Sequence, residues 1–280
     1  MTALPIDAVL PDLLAALREG SNAVLVAPPG AGKTTAVAPA LLNEPWCTGQ
    51  VLLLSPRRLA ARAAAERIAE LMGEQPGGTV GYATRMDSRM SARTRLLVLT
   101  EGIFVRRIQD DPELSGVSAV LFDEVHERSL DSDFGLALAL DAQGALRPDL
   151  RIVPMSATLD GARFAALLAH GGKDAPVVES EGRIQPLELR HVGRAAEKRI
   201  EDAMAATIRR ALNEEAEGDL LAFLPGVAEI ERTAERLEDA GAEVHKLHGS
   251  LDPAAQRAAI RPRGRDGGKS SSPPPLRRPA

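Results

Sequence analysis

Short apolar runs alternate with longer segments of helical periodicity along most of this chain. Strands covered on both faces are apolar throughout, and helices connect them, so this alternation predicts an α/β fold: a parallel sheet with helices on both faces. The six predicted strands are Asn22–Ala27, Val51–Ser55, Val80–Ala83, Leu96–Thr100, Ala119–Asp123 and Arg151–Ser156. The predicted helices are Lys33–Leu42, Arg58–Leu71, Gly102–Gln109, Asp131–Asp141 and Gly161–Leu168.

The pattern is interrupted near residue 170 by a Gly-Gly pair and a Lys-Asp step, which places a domain boundary near residue 175. Residues 1–175 are predicted to be one domain, and residues 176–260 part of a second α/β domain. The second part is predicted to contain strands at Leu187–Val192, Asp219–Leu224 and Glu243–Leu247, and helices at Ala195–Ala216, Val227–Ala240 and from Pro253.

The last twenty residues, 261–280, hold five Pro, six Lys or Arg and one Asp. A segment of this composition cannot bury enough apolar surface to fold, so a disordered basic tail is expected. Two origins are open: a native tail, or a reading frame that was lost or cut inside the second domain. We favour the second, because Ser-Ser-Ser-Pro-Pro-Pro stands where an α/β domain needs its next strand.

Composition excludes several classes of protein. A net charge of −5 argues against a protein that coats nucleic acid by bulk electrostatics, and seven aromatic residues leave little surface for stacking bases. One cysteine, Cys47, allows no internal disulfide, so we expect a reducing compartment and no disulfide-linked partner. The sequence lacks a secretory leader and the roughly 18 apolar residues of a membrane span, so a cytoplasmic protein is expected.

A Gly-rich loop, Ala27-Pro-Pro-Gly-Ala-Gly-Lys-Thr-Thr35, lies between an apolar strand and a helix, the context that a phosphate-binding loop requires. Glycines let backbone N–H groups turn toward phosphate oxygens, and the following helix directs its positive end at them. Lys33 can reach the β- and γ-phosphates, and the Thr34 hydroxyl can ligate Mg²⁺. A turn that only caps the helix is the simpler alternative. The predicted nucleotide-binding residues are Pro29, Gly30, Ala31, Gly32, Lys33, Thr34 and Thr35.

An acidic pair, Asp123-Glu124, ends the apolar run Ala119–Phe122 and is followed by Val125 and His126. In a parallel sheet the carboxyl ends of the strands face the ligand crevice. Asp123 can hold Mg²⁺, and Glu124 can accept a proton from the water that attacks the γ-phosphate. Alone, the tetrapeptide could be an acidic turn, but with a phosphate loop about ninety residues upstream it predicts nucleotide hydrolysis with Lys33, Asp123 and Glu124 as catalytic residues.

A third motif, Ser156-Ala157-Thr158, ends another strand, and by itself could be a helix N-cap. In order and spacing, the three motifs resemble superfamily 2 helicases of the DEAH-box group, with Asp-Glu-Val-His for the more usual Asp-Glu-Ala-His. Further matching segments are Ser55-Pro-Arg-Arg58, Gly81-Tyr82 with Arg85, Thr100-Glu-Gly102 and Glu127-Arg128. Within that group, residues from about 4 to 260, beginning with Leu4-Pro-Ile6, are similar to bacterial HrpB-type ATP-dependent helicases.

This resemblance implies a RecA-like ATP-binding domain followed by part of a second RecA-like domain. It implies ATP or another nucleoside triphosphate with Mg²⁺ as cofactors, Thr34 and Asp123 as metal ligands, and Glu124 as base. The implied partner is single-stranded or duplex nucleic acid, with RNA favoured over DNA. His126, Ser156 and Thr158 would couple nucleotide state to the grip on the strand. Arg57, Arg58, Thr100 and Gly102 would contact the nucleic-acid backbone. For Arg58 a solvated helix face shared with Arg62 and Glu66 is the competing interpretation.

The second part resembles the second domain at Leu221–Gly226 and Leu247–Leu251, with Gln256. The later Gln-x-x-Gly-Arg-x-Gly-Arg motif, whose arginines would reach the γ-phosphate, is not found in the sequence. We therefore expect this chain to bind ATP weakly, to hydrolyse it slowly or not at all, and not to unwind duplexes. The alternatives are a non-catalytic nucleotide- or RNA-binding fragment, and a P-loop kinase, against which the Ser-Ala-Thr and Ser-Pro-Arg-Arg segments count.

Overall fold

The computed structural model describes residues 4–157, 161–169, 172–181, 187–214, 218–260 and 277–279. The chain divides into two compact units, Met1–Pro186 and Leu187–Ala280. The predicted tail over 261–280 lies outside the described residues except for 277–279.

The first unit contains a sheet of eight described strands in the order β4-β3-β5-β2-β6-β7-β1-β8. Neighbouring strands are parallel except for the β3–β4 pair, which is antiparallel. All six predicted strands are present, and the predicted α/β class is confirmed. The bounds are β1 Val24–Val26, β2 Gln50–Ser55, β3 Val80–Ala83, β4 Ser88–Arg89, β5 Leu96–Thr100, β6 Val117–Phe122, β7 Arg151–Ser156 and β8 Val177–Glu179.

Helices cover both faces of this sheet because alternate side chains of each strand point to opposite faces. In β2, Val51 and Leu53 pack into one apolar layer with α1, α2 and α3, whereas Leu52 and Leu54 pack into the other with α4 and α5. Each layer therefore excludes water from one side of the strands. The helices of the first unit are α1 Leu10–Glu19, α2 Lys33–Leu41, α3 Arg58–Leu71, α4 Glu101–Asp110, α5 Leu130–Ala145 and α6 Gly161–Leu167.

Among its described residues, the second unit contains three helices and two short strands. It contains α7 Ile200–Glu214, α8 Val227–Glu235, β9 Glu243–His245, α9 Pro253–Ile260 and β10 Arg277–Pro279, with β9 and β10 parallel to each other. The predicted strands Leu187–Val192 and Asp219–Leu224 are wrong, since neither segment is a strand. Leu187 and Phe223 are each 81% exposed, and no described strand lies beside these segments to complete a ladder. Apolar composition alone does not make a strand when the backbone lacks a partner.

Among the described residues, no helix has both the length and the hydropathy needed to cross a lipid bilayer.

Candidate active site

The Gly-rich loop connects β1 to α2 at the carboxyl edge of the sheet. Gly30 and Gly32 have φ angles of 78° and 96°, in the left-handed region where a side chain would be strained. The Gly32 carbonyl accepts hydrogen bonds from the N–H groups of Thr35 and Ala36, at 3.1 and 2.9 Å, and so starts α2 directly behind the loop. The loop thus has the conformation that directs backbone N–H groups and a helix N-terminus toward an anion.

The first functional side chains of α2 meet the acidic residues that follow β6. Lys33 Nζ donates to Glu124 Oε1 at 2.8 Å, and Thr34 Oγ1 donates to Asp123 Oδ2 at 2.6 Å. The two residues of each contact are 91 and 89 positions apart in sequence, and the two contacts lie next to each other because each pair is consecutive in the chain. The structure therefore brings together the predicted phosphate-binding and catalytic residues at one edge of the sheet.

Burial distinguishes the members of this cluster. Lys33 is 5% exposed and Asp123 is 4% exposed, whereas the Glu124 side chain is 31% exposed. Burial raises the pKa of Asp123 above its ordinary value of 3.8, and the Thr34 hydrogen bond and the Lys33 charge oppose that rise. A divalent cation would favour the ionised carboxylate. Two hard oxygen donors, the Thr34 hydroxyl and the Asp123 carboxylate, fit Mg²⁺, which prefers oxygen ligands and keeps several waters or phosphate oxygens.

Glu124 also contacts His126, one of the three residues predicted to couple nucleotide state to the grip on the strand. His126 Nδ1 lies 3.3 Å from Glu124 Oε2 and 3.1 Å from Ser156 Oγ at the end of β7. The Ser156 carbonyl accepts from the N–H of Ala27 at 2.9 Å, which joins β7 to the start of the phosphate loop. His126 and Ser156 thus connect the acidic residues to β7 and, through the Ser156 carbonyl, to the start of the Gly-rich loop. The third predicted coupling residue, Thr158, lies outside the described residues.

The predicted nucleic-acid contacts lie at the same edge of the sheet, beyond β6. Arg57 and Arg58 follow β2 and are exposed, and Thr100 and Gly102 stand at the junction of β5 and α4. Since β2 is hydrogen-bonded to both β5 and β6, these residues flank the acidic strand end. Among the described residues, no hydrogen bond or ion pair joins these four to Lys33 or Glu124.

Sequence reasoning missed several contacts around this site. Glu127 pairs with Arg57, Nη2 to Oε1, at 3.0 Å, and the buried Glu101 accepts a hydrogen bond from Ser129 Oγ. Both acidic residues stand inside segments that resemble helicase motifs, but nothing in their spacing indicates the partner.

The turn at the start of the chain was also missed as part of the site. The Ile6 N–H donates to the Ala31 carbonyl at 3.1 Å, and a Cβ built on Gly32 would lie 2.7 Å from Leu4 Cδ1. Ser180 Oγ donates to the Pro5 carbonyl at 3.2 Å, and its N–H to the Val26 carbonyl at 2.8 Å. The Leu4–Ile6 segment therefore supports the phosphate loop from behind.

A parallel sheet that brings a Gly-rich loop with Lys33 and Thr34 beside two carboxylates defines the phosphate-loop class of α/β proteins. A DEAD/DEAH box helicase family model matches residues 8–166, and the chain belongs to that family.

Curated relatives agree with this assignment. The chain is 49% identical over 265 residues to the ATP-dependent RNA helicase HrpB of Escherichia coli K12, a match that covers 94% of this chain and 32% of HrpB. It is 35% identical over 240 residues to the ATP-dependent RNA helicase HrpA of the same organism, covering 84% of this chain and 18% of HrpA. The chain therefore spans a third or less of the length of these relatives.

Solved structures give the same result. The crystal structure of the E. coli DEAH/RHA helicase HrpB matches with a TM-score of 0.86 and 45% identity, covering 99% of this chain and 34% of that one. The crystal structure of the E. coli DExH-box NTPase HrpB matches with a TM-score of 0.80 and 46% identity, covering all of this chain and 33% of that one. The predicted resemblance to HrpB-type helicases and the RecA-like fold are thereby confirmed.

Proposed function

We propose that this chain carries the ATP-binding and hydrolytic part of a nucleic-acid-dependent helicase of the DEAH-box class. The observation that supports this most strongly is the double contact of Lys33 with Glu124 and of Thr34 with Asp123. It supports the proposal because an ammonium group, two oxygen donors of the kind that Mg²⁺ prefers and a further carboxylate lie in one cluster at a strand end.

In the proposed mechanism, backbone N–H groups of residues 30–35 hold the phosphates of ATP, and Lys33 binds the β- and γ-phosphate oxygens. Binding exchanges the Glu124 partner of Lys33 for phosphate, which leaves Glu124 free to accept the proton of the attacking water. Thr34 and Asp123 would hold Mg²⁺, which neutralises charge on the phosphates when bound. His126 and Ser156 position Glu124 relative to β7.

RNA is the proposed partner, since the relatives HrpB and HrpA are named ATP-dependent RNA helicases. Arg57, Arg58, Thr100 and Gly102 would contact its backbone, where cations and exposed backbone groups bind phosphates. The cytoplasm is the proposed location, in agreement with a single, buried cysteine.

For the 280-residue chain by itself we propose weak ATP binding, slow or no ATP hydrolysis and no duplex unwinding. Its sequence holds no Gln-x-x-Gly-Arg-x-Gly-Arg segment. An arginine finger accelerates related phosphoryl transfers by about 10³ to 10⁵. Rapid RNA-stimulated turnover by the purified chain would contradict this proposal.

The test is binding of a fluorescent, nonhydrolysable ATP analogue with Mg²⁺ to variants of the full 280-residue chain. Lys33→Ala removes a charged hydrogen-bond donor worth about 1.5 to 3 kcal/mol, so affinity should fall roughly 10- to 150-fold. Lys173→Ala, which removes an exposed lysine of the same unit, is the matched control and should bind like the wild type. Equal affinity of both variants would refute the proposed nucleotide site.

Glu124→Gln separates an enzyme from a non-catalytic binding module. An enzyme should keep its affinity for the analogue and lose slow turnover, because the amide cannot accept the proton of water. Single-turnover hydrolysis of radiolabelled ATP measures this directly. Measurable hydrolysis by the wild type that Glu124→Gln leaves unchanged would assign the base to another residue.

A further inference from the structure

The segment that follows the acidic pair is a short 3-10 turn, Val125–Glu127, with a left-handed residue at each end. Glu124 has φ 54° and Arg128 has φ 52°, and neither is glycine. A non-glycine residue in this region is strained, so a turn with two of them must be held by surrounding contacts. Such strain is common at functional sites.

The contacts at the two ends of this turn lead to different partners. At its start, Glu124 is paired with the buried Lys33 of the phosphate loop. At its end, Glu127 is paired with Arg57, which follows β2 and whose side chain is 73% exposed. The turn therefore connects the proposed catalytic base to a residue of the proposed nucleic-acid edge.

A second link supports the first. Ser129, the N-cap of α5, donates its hydroxyl to Glu101, the first residue of α4. Glu101 lies between Thr100 and Gly102, which are also proposed to contact nucleic acid. Two separate elements of that edge thus hold the segment that carries Glu124.

An exposed ion pair is weak and exchanges partners easily. A nucleic-acid phosphate that approaches Arg57 also approaches Glu127, and the two negative groups repel each other. Arg57 cannot pair fully with the phosphate while it remains paired with the Glu127 carboxylate.

We propose that Glu127 is a positioning residue that competes with the nucleic-acid backbone for Arg57. When a phosphate binds Arg57, the Arg57–Glu127 ion pair at the end of the strained turn breaks. The turn then positions Glu124 beside Lys33 less firmly. This inference rests on the proposed function and adds to it the contact through which strand binding reaches the catalytic base.

The experiment is a double-mutant cycle that measures binding of a fluorescein-labelled oligouridylate to the full 280-residue chain at low salt, by anisotropy. Glu127→Gln should tighten RNA binding about two- to fivefold, the range of an exposed ion pair. In the Arg57→Gln background the same substitution should have no effect, because the competition has been removed. A residue with only a structural role would not increase affinity.

Two controls separate the ion pair from a general effect of charge. Glu70→Gln removes one negative charge from a residue that pairs with Arg67 on α3, and its effect should not depend on Arg57. Glu127→Asp keeps the charge but shortens the side chain, so it should also tighten RNA binding, by a smaller factor. Circular dichroism verifies that each variant is folded.

A second readout tests the link to the nucleotide. RNA and the nonhydrolysable ATP analogue should change each other's affinity in the wild type, and the coupling factor should fall toward one in Glu127→Gln. An unchanged or weakened RNA affinity in Glu127→Gln, an effect of equal size in the Arg57→Gln background, or no RNA binding by the wild type would each overturn the inference. These failures leave Lys33-dependent nucleotide binding intact, whereas loss of that dependence alone would refute the proposed function.

Discussion

The two units of this chain use similar apolar sequences in different ways. In the first unit, strands such as β2 contribute buried side chains to apolar layers on both faces of the sheet. In the second, the described buried cluster comprises Ala205, Ile208 and Leu237 with a few partly buried neighbours, while Leu187 and Phe223 stay exposed. This difference shows that a strand-like sequence forms a strand only when a neighbouring strand pairs with its backbone N–H and C=O groups. The first unit can therefore hold a rigid site.

The largest expected effect is at Phe122, which ends β6 directly before Asp123. Its ring is fully buried and packs edge-to-face on Phe104, with centroids 5.6 Å apart. Phe122→Ala should lower the free energy of unfolding of the first unit by about 3 to 5 kcal/mol, through lost contacts and a cavity. Urea denaturation followed by fluorescence of Trp46, the single tryptophan, measures this. A loss below about 1 kcal/mol would mean that the core collapses around the gap.

Two glycines of the phosphate loop give a matched pair with a smaller effect. Both have positive φ, but a Cβ on Gly32 would meet Leu4 at 2.7 Å, whereas nothing lies within 4 Å of one on Gly30. Gly30→Ala should cost about 1 to 2 kcal/mol from backbone strain alone. Gly32→Ala should cost about 2 to 4 kcal/mol, because overpacking is added. Equal losses in urea denaturation would contradict support of the loop by Leu4.

The pH dependence of stability tests the buried Glu101 of the first unit. Burial raises its pKa above the ordinary 4.5, so the folded state binds a proton more tightly than the unfolded state. The stability that Glu101 contributes is complete below the unfolded pKa and is lost as pH rises through the folded one. In Glu101→Gln this decline above pH 4.5 should be smaller, while the exposed Glu19→Gln should follow the wild type. The midpoint of urea denaturation, measured at several pH values above 4.5, follows this decline in stability. Parallel curves for the wild type and the two variants would refute a contribution of Glu101.

The smallest effect is expected at Phe223 in the second unit. Its ring is 81% exposed, so Phe223→Ala removes little packing and should change stability by less than about 0.5 kcal/mol. Circular dichroism at 222 nm reports the helices of both units and Trp46 fluorescence reports the first unit, so comparing the two denaturation curves isolates the change in the second unit. A loss as large as that of Phe122→Ala would show that Phe223 is packed in a core, and would remove the contrast between the units.

Most of the first unit could be predicted from sequence. Strands β3, β5 and β7 and helix α3 have the predicted bounds, because runs buried on both faces and Ala-rich amphipathic segments leave little choice. The convergence of Lys33 on Glu124 could also be predicted, since carboxyl ends of parallel strands share one edge. The short edge strands β4 and β8 were missed because two or three residues carry no periodicity.

The contacts of Glu127 and Ser129 could not be predicted in the same way. They depend on the path of the turn between Glu124 and Arg128. Both residues have a left-handed backbone conformation, which is unfavourable for residues other than glycine. Local propensity therefore points away from the observed structure, which is held by contacts of this segment with α2, α4, β7 and the residue that follows β2 by two positions.

The sequence alone specifies the α/β class, the six inner strands of the first unit's sheet, and the positions of the Gly-rich loop and the acidic pair. Periodicity and burial of apolar runs are local properties that one chain segment displays without its neighbours. The tertiary structure determines which apolar segments form strands and which charged residues form ion pairs. A strand needs a second strand in register to satisfy its backbone hydrogen bonds, and a charged side chain such as Arg57 needs an oppositely charged partner nearby. The position of that second segment depends on how the whole unit packs.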